Sequence, residues 1–303
     1  MNSINFSIII PNLNGAEFLP DCLNSLILAI KNCPQSKFEI ILVDNASTDD
    51  SLNLAKKIYP QIKIIRNPKN FGFAKAINQG SKLAKYSWIV PCNNDIKLAP
   101  NWFKIMSQTI KNNSNISAFF GTIKNRSGDK IESTGLKFFN SGKAKNIQAK
   151  QSKPKTIWGG NGALIIYQKN IFRSLGGFDP DFFAYLEDVD FNLRLNQTKH
   201  LTLLVPSAVS FHLGGGTSQK FNNLRQVKTV QNWIYIIIKN YSAKQIWQNL
   251  PGIIEQRFRN LSYLLKNTPF FLWIPTLISV YGQIIIKIPV MLKKRHHHVP
   301  PSF

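Results

Sequence analysis

Apolar runs separated by polar turns and helical periods dominate the first hundred residues of the chain. Four short, largely apolar runs predict buried β-strands, over Phe6–Ile10, Glu39–Val43, Ile62–Ile65 and Trp88–Val90. Between them, apolar residues at helical spacing predict helices, over Phe18–Lys31, Ser51–Ile58 and Ala74–Lys85. Strands that alternate with helices are joined by right-handed crossovers and form a parallel sheet. The pattern therefore predicts an α/β fold whose ligands bind beyond the carboxyl ends of the strands.

The pattern is less regular after Pro100. A helix is predicted near Trp102–Lys111, and the Gly-, Ser- and Lys-rich stretch from Asn125 to Lys155 predicts a hairpin or a loop insertion. Regular structure resumes at Trp158. One strand, one helix and two short strands are predicted from there in chain order, over Gly159–Ile166, Leu186–Asn196, Leu201–Val205 and Val209–His212.

The chemical character of the chain changes near Gly216. Beyond this point, basic side chains run from Lys220 to Arg295, whereas Glu255 is the only acid. We therefore predict two domains. The first is the α/β domain over residues 1–216, and the second is a separate, basic helical region over residues 217–303.

A largely apolar segment over residues 269–292 is long enough, as a helix, to cross a bilayer. Pro275, Gly282 and Pro289 are expected to break it, and Lys287 would lie within it. Basic residues flank both ends, which suits a helix in an anionic interface better than a simple span. We predict surface association or a re-entrant segment. The open alternative is an amphipathic tail that packs on its own domain or on a second subunit.

The charge and the cysteines narrow the class of protein. The 38 basic and 15 acidic residues give a formal charge of +23, which attracts phosphates or anionic lipid without choosing among nucleic acid, nucleotide and membrane. Three cysteines without CxxC spacing argue against a disulfide framework and a zinc site. The N-terminal apolar run is too short for a signal peptide. A cytoplasmic protein is expected.

Two acids follow predicted strands. Asp44 ends the second strand, where its carboxylate could accept a hydrogen bond from a nucleobase, or could simply form a turn and cap the next helix. Asp95 follows the fourth strand and two asparagines. It could bind a hard divalent cation that bridges a diphosphate, or lie in an ordinary polar turn.

A carboxylate cluster opens the predicted helix in FDPDFFAYLEDVDFNLRL. Acids in a first helical turn complement the helix dipole, but Glu187, Asp188 and Asp190 exceed what a cap requires. Crowded carboxylates in a cleft indicate a bound cation or a proton-accepting role. Further along, His212 precedes three glycines, where it could ligate a metal or a phosphate oxygen, or be structural beside a hinge.

In this order, the motifs resemble the inverting family 2 glycosyltransferases of the GT-A fold, especially the rhamnosyltransferase-like branch of cell-surface polysaccharide synthesis. The resemblance covers about the first 216 residues through the segments SIIIPNLNG, ILVDNASTDDS, NFGFAKAINQG, CNND, WGGNGALIIYQKNIFRSLGGFDPDFFAYLEDVDFNLR and FHLGGGTS. It implies the α/β nucleotide-diphospho-sugar transferase fold, with a Rossmann-like mixed, mainly parallel sheet and flanking helices.

The resemblance also implies roles for individual residues. Asp188 would be the general base with Glu187 beside it, Asp95 the metal-binding acid, and His212 a ligand of the metal or diphosphate. Asn93 stands where the family's metal motif often has a first acid, so Asp95 would be its sole carboxylate. The donor would be contacted by six residues, some through backbone amides, namely Pro11, Asn12, Asp44, Asn70, Gly72 and Asn94.

The expected activity is therefore inverting transfer of a sugar, rhamnose or a hexose, from a nucleotide-diphosphate donor with Mg²⁺ or Mn²⁺. The expected acceptor is a glycan or a polyprenyl-linked saccharide at the inner face of the plasma membrane. One alternative is a catalytically silent membrane scaffold for partner transferases. A basic nucleic-acid-binding protein is disfavoured, because zinc-finger spacing and RNP-like aromatic motifs are missing from the sequence and the acids cluster at strand ends.

Overall fold

The first four strands form a parallel sheet around the strand that begins at Phe6. In this computed structural model, which describes residues 3–214 and 222–295, these strands are β1 (Phe6–Asn12), β2 (Phe38–Asp44), β3 (Lys63–Arg66) and β4 (Trp88–Pro91). Strand β1 pairs in parallel with β2 on one side and with β4 on the other, and β3 extends the sheet beyond β2. Almost every residue of β1 is buried, as expected for a strand covered on both faces.

Helices connect these strands as the sequence predicts. They are α1 (Leu19–Lys31), α2 (Ser51–Ile58), α3 (Phe73–Leu83) and α4 (Trp102–Lys111). Each begins and ends within a few residues of its predicted bounds, because apolar periodicity and turn residues are local signals. All the carboxyl ends of β1 to β4 therefore meet at one edge of the sheet.

The remaining strands make the sheet mixed. They are β5 (Ile96–Leu98), β6 (Ile116–Asn125), β7 (Ile131–Ser133), β8 (Leu136–Phe138), β9 (Ala144–Asn146), β10 (Lys155–Ile157), β11 (Ile166–Gln168) and β12 (Leu201–His212). The main order is β10-β12-β6-β11-β4-β1-β2-β3, and β11 is antiparallel to both of its neighbours. This confirms the predicted mixed, mainly parallel sheet. Strands β8 and β9 form a hairpin within the stretch predicted as a hairpin or insertion.

Three strand predictions differ from the structure. Strand β6 was not predicted. The strand expected from Gly159 is regular only from Ile166, because the glycine pair packs closely against the side chains of Asn192 and Phe120. The two strands expected between residues 201 and 212 are one strand, whose register shifts around Pro206, a residue that cannot donate to the ladder.

Helices make up the rest of the described chain. They are α5 (Lys169–Ser174), a 3₁₀ helix (Pro180–Phe182), α6 (Glu187–Gln197), α7 (Asn222–Asn240), α8 (Ala243–Gln248), α9 (Leu250–Lys266), a second 3₁₀ helix (Phe270–Leu272) and α10 (Trp273–Arg295). The C-terminal part is helical, as predicted.

Helix α7 shares a hydrophobic core with the α/β part of the molecule. Its Tyr235 and Ile236 pack in one buried cluster with Phe182 and Leu193, and α10 adds Val280. The prediction of a separate basic region therefore needs correction, because its first helix shares a buried cluster with α6 and the first 3₁₀ helix of the α/β part. The predicted boundary at Gly216 lies outside the described residues.

A buried ionic cluster fastens α7 to α6. Lys239 on α7 is only 3% exposed and donates hydrogen bonds of 2.8 Å to both Asp179 and Asp190. Arg194 pairs with one carboxylate oxygen of Asp190 at 2.7 Å, and Asn240 donates a hydrogen bond to the other oxygen of Asp190. Burial alone would raise the pKa of Asp190, but the two cations overcome this effect and hold the pKa well below its ordinary value.

Helix α10 has two different faces. Val280, Ile284 and Met291 are buried on one face, where Lys287 and Lys294 also form ion pairs with the first 3₁₀ helix and Asp179. The opposite face exposes four isoleucines, namely Ile274, Ile278, Ile285 and Ile286. Contrary to prediction, the helix continues without a break through its proline and glycine positions. Residues 270–295 form the one helix of the described chain that is long and apolar enough to cross a membrane.

Lys239→Met should lower the free energy of unfolding by about 3 kcal/mol, the lower end of the cost of breaking a buried ion pair. The cost should lie there because Asp179 and Asp190 each keep one other cation. Urea denaturation measures the change. Lys244→Met, at an exposed position on the next helix, is the matched control and should have little effect. Equal stability of the two variants would contradict the role given to the cluster.

Candidate active site

A network of side-chain amides and hydroxyls lies at the carboxyl ends of the strands, beneath the candidate site. Asn12, at the end of β1, is almost fully buried and donates to the hydroxyls of Ser51 and Ser47, at 2.9 and 3.1 Å. Its carbonyl oxygen accepts from Asn94 at 3.0 Å. A Cβ at Gly15 would lie 2.2 Å from that carbonyl oxygen, so only glycine fits there. The network fixes the direction of Asn12 and Asn94 at the cavity wall.

Asp44 lies below this wall rather than on it. The carboxylate is fully buried, accepts hydrogen bonds from the backbone amide of Ser47 and from Asn12, and does not line the cavity. These contacts are those of the turn-forming alternative. The structure thus places Asp44 one layer behind the residues that face the cavity, in contact with Asn12. The nucleobase contact expected for Asp44 stays a prediction.

A second group of side chains meets where β5 pairs with β12. His212 Nε2 lies 3.3 Å from Asp95 Oδ2, and His212 Nδ1 lies 2.8 Å from Glu132 Oε2. The hydrogen bond to Asp95, opposed by burial and aided by Glu132, raises the pKa of His212 to about 9. The other oxygen of Asp95 is buried and has no hydrogen-bond partner in the described structure. Asp95 thus has an unused acceptor beside an imidazole.

The acid pair lies on the facing side, in the first turn of α6. Asp188 accepts hydrogen bonds from the backbone amides of Gly162 and Val189, each at 2.7 Å. Burial raises the pKa of Asp188 although these two amides favour its ionised form. Burial and the neighbouring Asp188 charge raise the pKa of Glu187 well above its ordinary value. Glu187 Oε2 has no partner among the described residues. Burial thus raises the pKa of both acids, while two backbone amides fix the Asp188 carboxylate in place.

One cavity of about 570 Å³ joins the two groups. Asp95 and His212 line it on one side, and Glu187 and Asp188 line it on the other. The remaining predicted site residues at its wall are those of the strand ends and the loop before α3, namely Pro11, Asn12, Asn70, Gly72 and Asn94. The third acid of the cluster, Asp190, points away into the ionic cluster of α7 and is structural.

A strained segment forms the wall between α3 and α6. Phe183, Tyr185 and Leu186 all have positive φ, which costs free energy unless the surroundings impose it. Asn232 of α7 imposes it by donating hydrogen bonds of 2.7–2.9 Å to the carbonyl groups of residues 182, 184 and 185. Gly72 faces the same segment, since a Cβ there would lie 2.4 Å from the Phe183 carbonyl oxygen.

Sequence reasoning missed the contribution of α7 to the cavity. Leu224, Arg225 and Thr229 line it, although they follow the predicted domain boundary. Arg225 is the only lysine or arginine at the wall within the described residues. The four-residue spacing of Arg225 and Thr229 on one helix face is the one signal that could have grouped them.

Comparison with known proteins agrees with this architecture. Residues 7–176, more than half of the chain, match the family described as Glycosyl transferase family 2. The chain belongs to glycosyl transferase family 2. The matched residues run from β1 to α5, and so include the strand ends that carry Asn12, Asn94 and Asp95.

Curated relatives of this glycosyltransferase come from mycobacteria. A PGL/p-HBAD biosynthesis glycosyltransferase of Mycobacterium bovis is 30% identical over 196 residues, covering 62% of this chain and 68% of the relative. An N-acetylglucosaminyl-diphospho-decaprenol L-rhamnosyltransferase of Mycobacterium tuberculosis is 21% identical over 218 residues, covering 63% and 71%. The resemblance to glycosyltransferases, including a rhamnosyltransferase, is thus confirmed.

Solved structures share the fold of the glycosyltransferase at low identity. Residues 1–349 of S. aureus TarS in complex with UDP-GlcNAc have a TM-score of 0.63 at 14% identity, and the match covers 95% of this chain and 84% of that TarS chain. GalNAc-T7 with UDP, GalNAc and Mn²⁺ has a TM-score of 0.62 at 18% identity, covering 95% of this chain. This chain spans 58% of the length of GalNAc-T7.

Proposed function

We propose that this glycosyltransferase is metal-dependent and inverting, and that it moves a sugar from a nucleotide-diphosphate donor to an acceptor hydroxyl. The observation that carries the proposal is the position of Asp95 and Asp188 in the wall of one cavity. A direct displacement with inversion needs a proton acceptor on one side of the sugar and a charge-stabilising group on the side of the leaving diphosphate. The two aspartates would divide this work.

The donor side has the residues that a divalent cation needs. Asp95 has one buried oxygen without a described partner, and His212 lies within 3.3 Å of the other oxygen. Within the described chain, no set of three or more His, Cys, Asp or Glu side chains could hold a metal by itself. The two residues would therefore hold Mg²⁺ or Mn²⁺ together with the donor phosphates, and His212 would release its ring proton as the cation binds. The bound cation would neutralise charge on the departing diphosphate.

On the acceptor side, Asp188 would act as the general base. Its carboxylate would take the proton of the acceptor hydroxyl as the new oxygen–carbon bond forms and the bond from the anomeric carbon to the diphosphate breaks. The backbone amides of Gly162 and Val189 fix the carboxylate in place, and burial keeps its pKa above that of an exposed aspartate. Glu187, which holds its proton more strongly, would orient the acceptor by hydrogen bonding.

Three properties support a donor sugar such as rhamnose or a hexose and an acceptor that is a glycan or a polyprenyl-linked saccharide. The family relative from Mycobacterium tuberculosis is named for rhamnose transfer to a diphospho-decaprenol lipid. The cavity of about 570 Å³ has room for parts of two substrates. The apolar face of α10 would place the enzyme on a membrane surface, where a lipid-linked acceptor is found.

Membrane association would be peripheral and on the cytoplasmic face. Lys287 and Lys294 are paired with Asp181 and Asp179 on one side of α10, so that side belongs to the protein body. The opposite side exposes isoleucines and ends in a basic cluster, as in helices that lie in an anionic interface. This arrangement favours a helix lying on the membrane over one that crosses it.

Asp188→Asn should lower transfer by about 10² to 10⁴-fold, the usual contribution of a general base. Donor binding, followed by calorimetry, should be largely retained because the donor side is unchanged. Asp129→Asn removes a carboxylate from an exposed turn and should leave transfer unchanged. Full turnover by Asp188→Asn would remove the base assignment. Absence of donor turnover by the wild-type chain would instead support the silent scaffold.

Chelation with EDTA should abolish transfer, and Mg²⁺ or Mn²⁺ should restore it. Asp95→Asn should weaken Mn²⁺ binding in the presence of donor by at least about tenfold, as even the loss of an outer-shell partner does. Electron paramagnetic resonance of bound Mn²⁺ measures this without requiring turnover. Asp129→Asn is again the control. Transfer that is indifferent to the chelator would refute the metal role.

Replacement of Ile278, Ile285 and Ile286 by serine should lower binding to anionic vesicles by about tenfold or more, because each isoleucine buried in the interface contributes about 1.5–3 kcal/mol. The three side chains are 66–73% exposed on one face of α10. Flotation of the protein with vesicles measures the change. A triple serine variant at Leu28, Leu83 and Leu201, exposed on other elements, is the control. Equal flotation of the two variants would contradict the proposed membrane face.

A further inference from the structure

A second cavity lies among the C-terminal helices. It is a groove of about 400 Å³ between α7, α9 and α10. Trp233 and Ile237 of α7 form its floor, Ile254 and Phe258 of α9 form one side, and Tyr281 of α10 forms the other. Apart from Arg257, whose guanidinium lies 4.9 Å from the centre of the Tyr281 ring, the lining is apolar, so a hydrocarbon chain would be favoured there.

The reaction cavity and the groove follow one another along one face of α7. Arg225 and Thr229 line the reaction cavity, and Trp233 and Ile237 line the groove. These four residues are spaced by four and therefore lie in one stripe, with about 6 Å along the helix axis between neighbours. Leu186, which lines the reaction cavity beside the acid pair, also packs against the cluster of Trp233 and Ile237. The two cavities thus share a wall.

The far end of the groove opens on the apolar surface. Ile254 is 47% exposed and Phe258 is 68% exposed, although both line the groove. Tyr281, on the other side of the groove, is a neighbour of the exposed Ile278 and Ile285 on α10 by its helical spacing. A chain that leaves the groove at this end would enter the region assigned to the membrane interface.

A positively charged residue, Arg225, stands at the end of the stripe that lines the reaction cavity. Arg225 has no ion-pair partner among the described residues, and it lines the reaction cavity about 12 Å along the helix axis from Trp233 of the groove. A guanidinium on the helix face that leads from a polar cavity to an apolar groove suits a phosphate that joins a sugar to a hydrocarbon.

We propose that the groove binds the hydrocarbon tail of a phosphate-linked lipid acceptor. The acceptor sugar would lie at Asp188, its phosphate at Arg225, and its tail along α7 past Trp233 to Ile237. This assignment rests on the proposed function for the position of the sugar. The binding of a tail to the groove is tested without any transfer.

The test is equilibrium binding of radiolabelled farnesyl diphosphate to the full chain in EDTA, so that a cation-dependent diphosphate site does not contribute. The wild-type chain should bind it at least about tenfold more tightly than inorganic diphosphate, because an apolar tail gains about 0.8 kcal/mol for each buried CH₂. Ile254→Asp should weaken binding about tenfold or more, because it places a charge in the apolar lining. Circular dichroism and thermal melting check that the variant is folded.

Two matched variants make the result specific. Ile278→Asp introduces the same charge on the exposed face of α10 outside the groove, and should bind farnesyl diphosphate as the wild type does. Arg225→Gln should weaken binding of farnesyl diphosphate, whereas Arg259→Gln, on the exposed side of α9, should not. Equal binding by Ile254→Asp and Ile278→Asp would overturn the groove as the site of the tail.

Further outcomes distinguish a wrong assignment of the groove from a wrong proposed function. Displacement of farnesyl diphosphate by dihexanoyl phosphatidylglycerol with equal affinity would make the groove a site for bilayer lipid and overturn the acceptor assignment. Sugar transfer with the same kcat/KM to acceptors with and without a tail would also overturn it, while the proposed function would stand. Tail binding with the expected variant pattern but no sugar turnover would retain the groove and refute the function.

Discussion

The contact between Lys239 and the two aspartates beside it holds the active site together from behind. Asp190 lies two residues after Asp188 on the same helix, so the position of α6 is fixed through Asp190. Burying these charges is costly unless each is paired and hydrogen bonded. Arg194, Asn240 and Lys294 complete the pairing. The position of the acid pair therefore depends on the docking of α7, which also supplies part of the cavity wall.

The two sides of the cavity are held in place by different kinds of contact. The proposed donor side stands on the ends of parallel strands, where backbone ladders fix Asn12 and Asp95 with little need for distant contacts. The proposed acceptor side, which carries the acid pair, depends on a segment with three positive φ values, which local sequence does not favour. Asn232 and the close approach of Gly72 stabilise that segment from outside. Strand pairing therefore holds the proposed donor side in place, whereas the proposed acceptor side is held by contacts with residues that are distant in sequence.

This difference explains what the sequence could predict. Strands β1 to β4 and their helices follow apolar periodicity, and the acids at Asp95 and Asp188 stand at element ends that this periodicity locates. Asp44 was placed at the correct strand end, but the direction of its carboxylate depends on Ser47 and Asn12, which no spacing rule specifies. The contribution of α7 was missed because its pairing with Asp190 joins residues 49 apart in sequence, and charge composition alone suggested an independent basic region.

The two faces of helix α10 require different surroundings, since one face packs on the protein and the other is apolar and exposed. Its lysines pair with carboxylates of the 3₁₀ helix that precedes the strained segment, so α10 is held at the acceptor side of the cavity. Its isoleucines on the other face are exposed in the described structure, as apolar side chains are at sites that meet an apolar surface. A helix with both properties suits the membrane boundary proposed for α10. Helix α10 packs on α7, which shares a wall of the cavity with the acid pair, so an acceptor arriving from a membrane would meet the proposed base there.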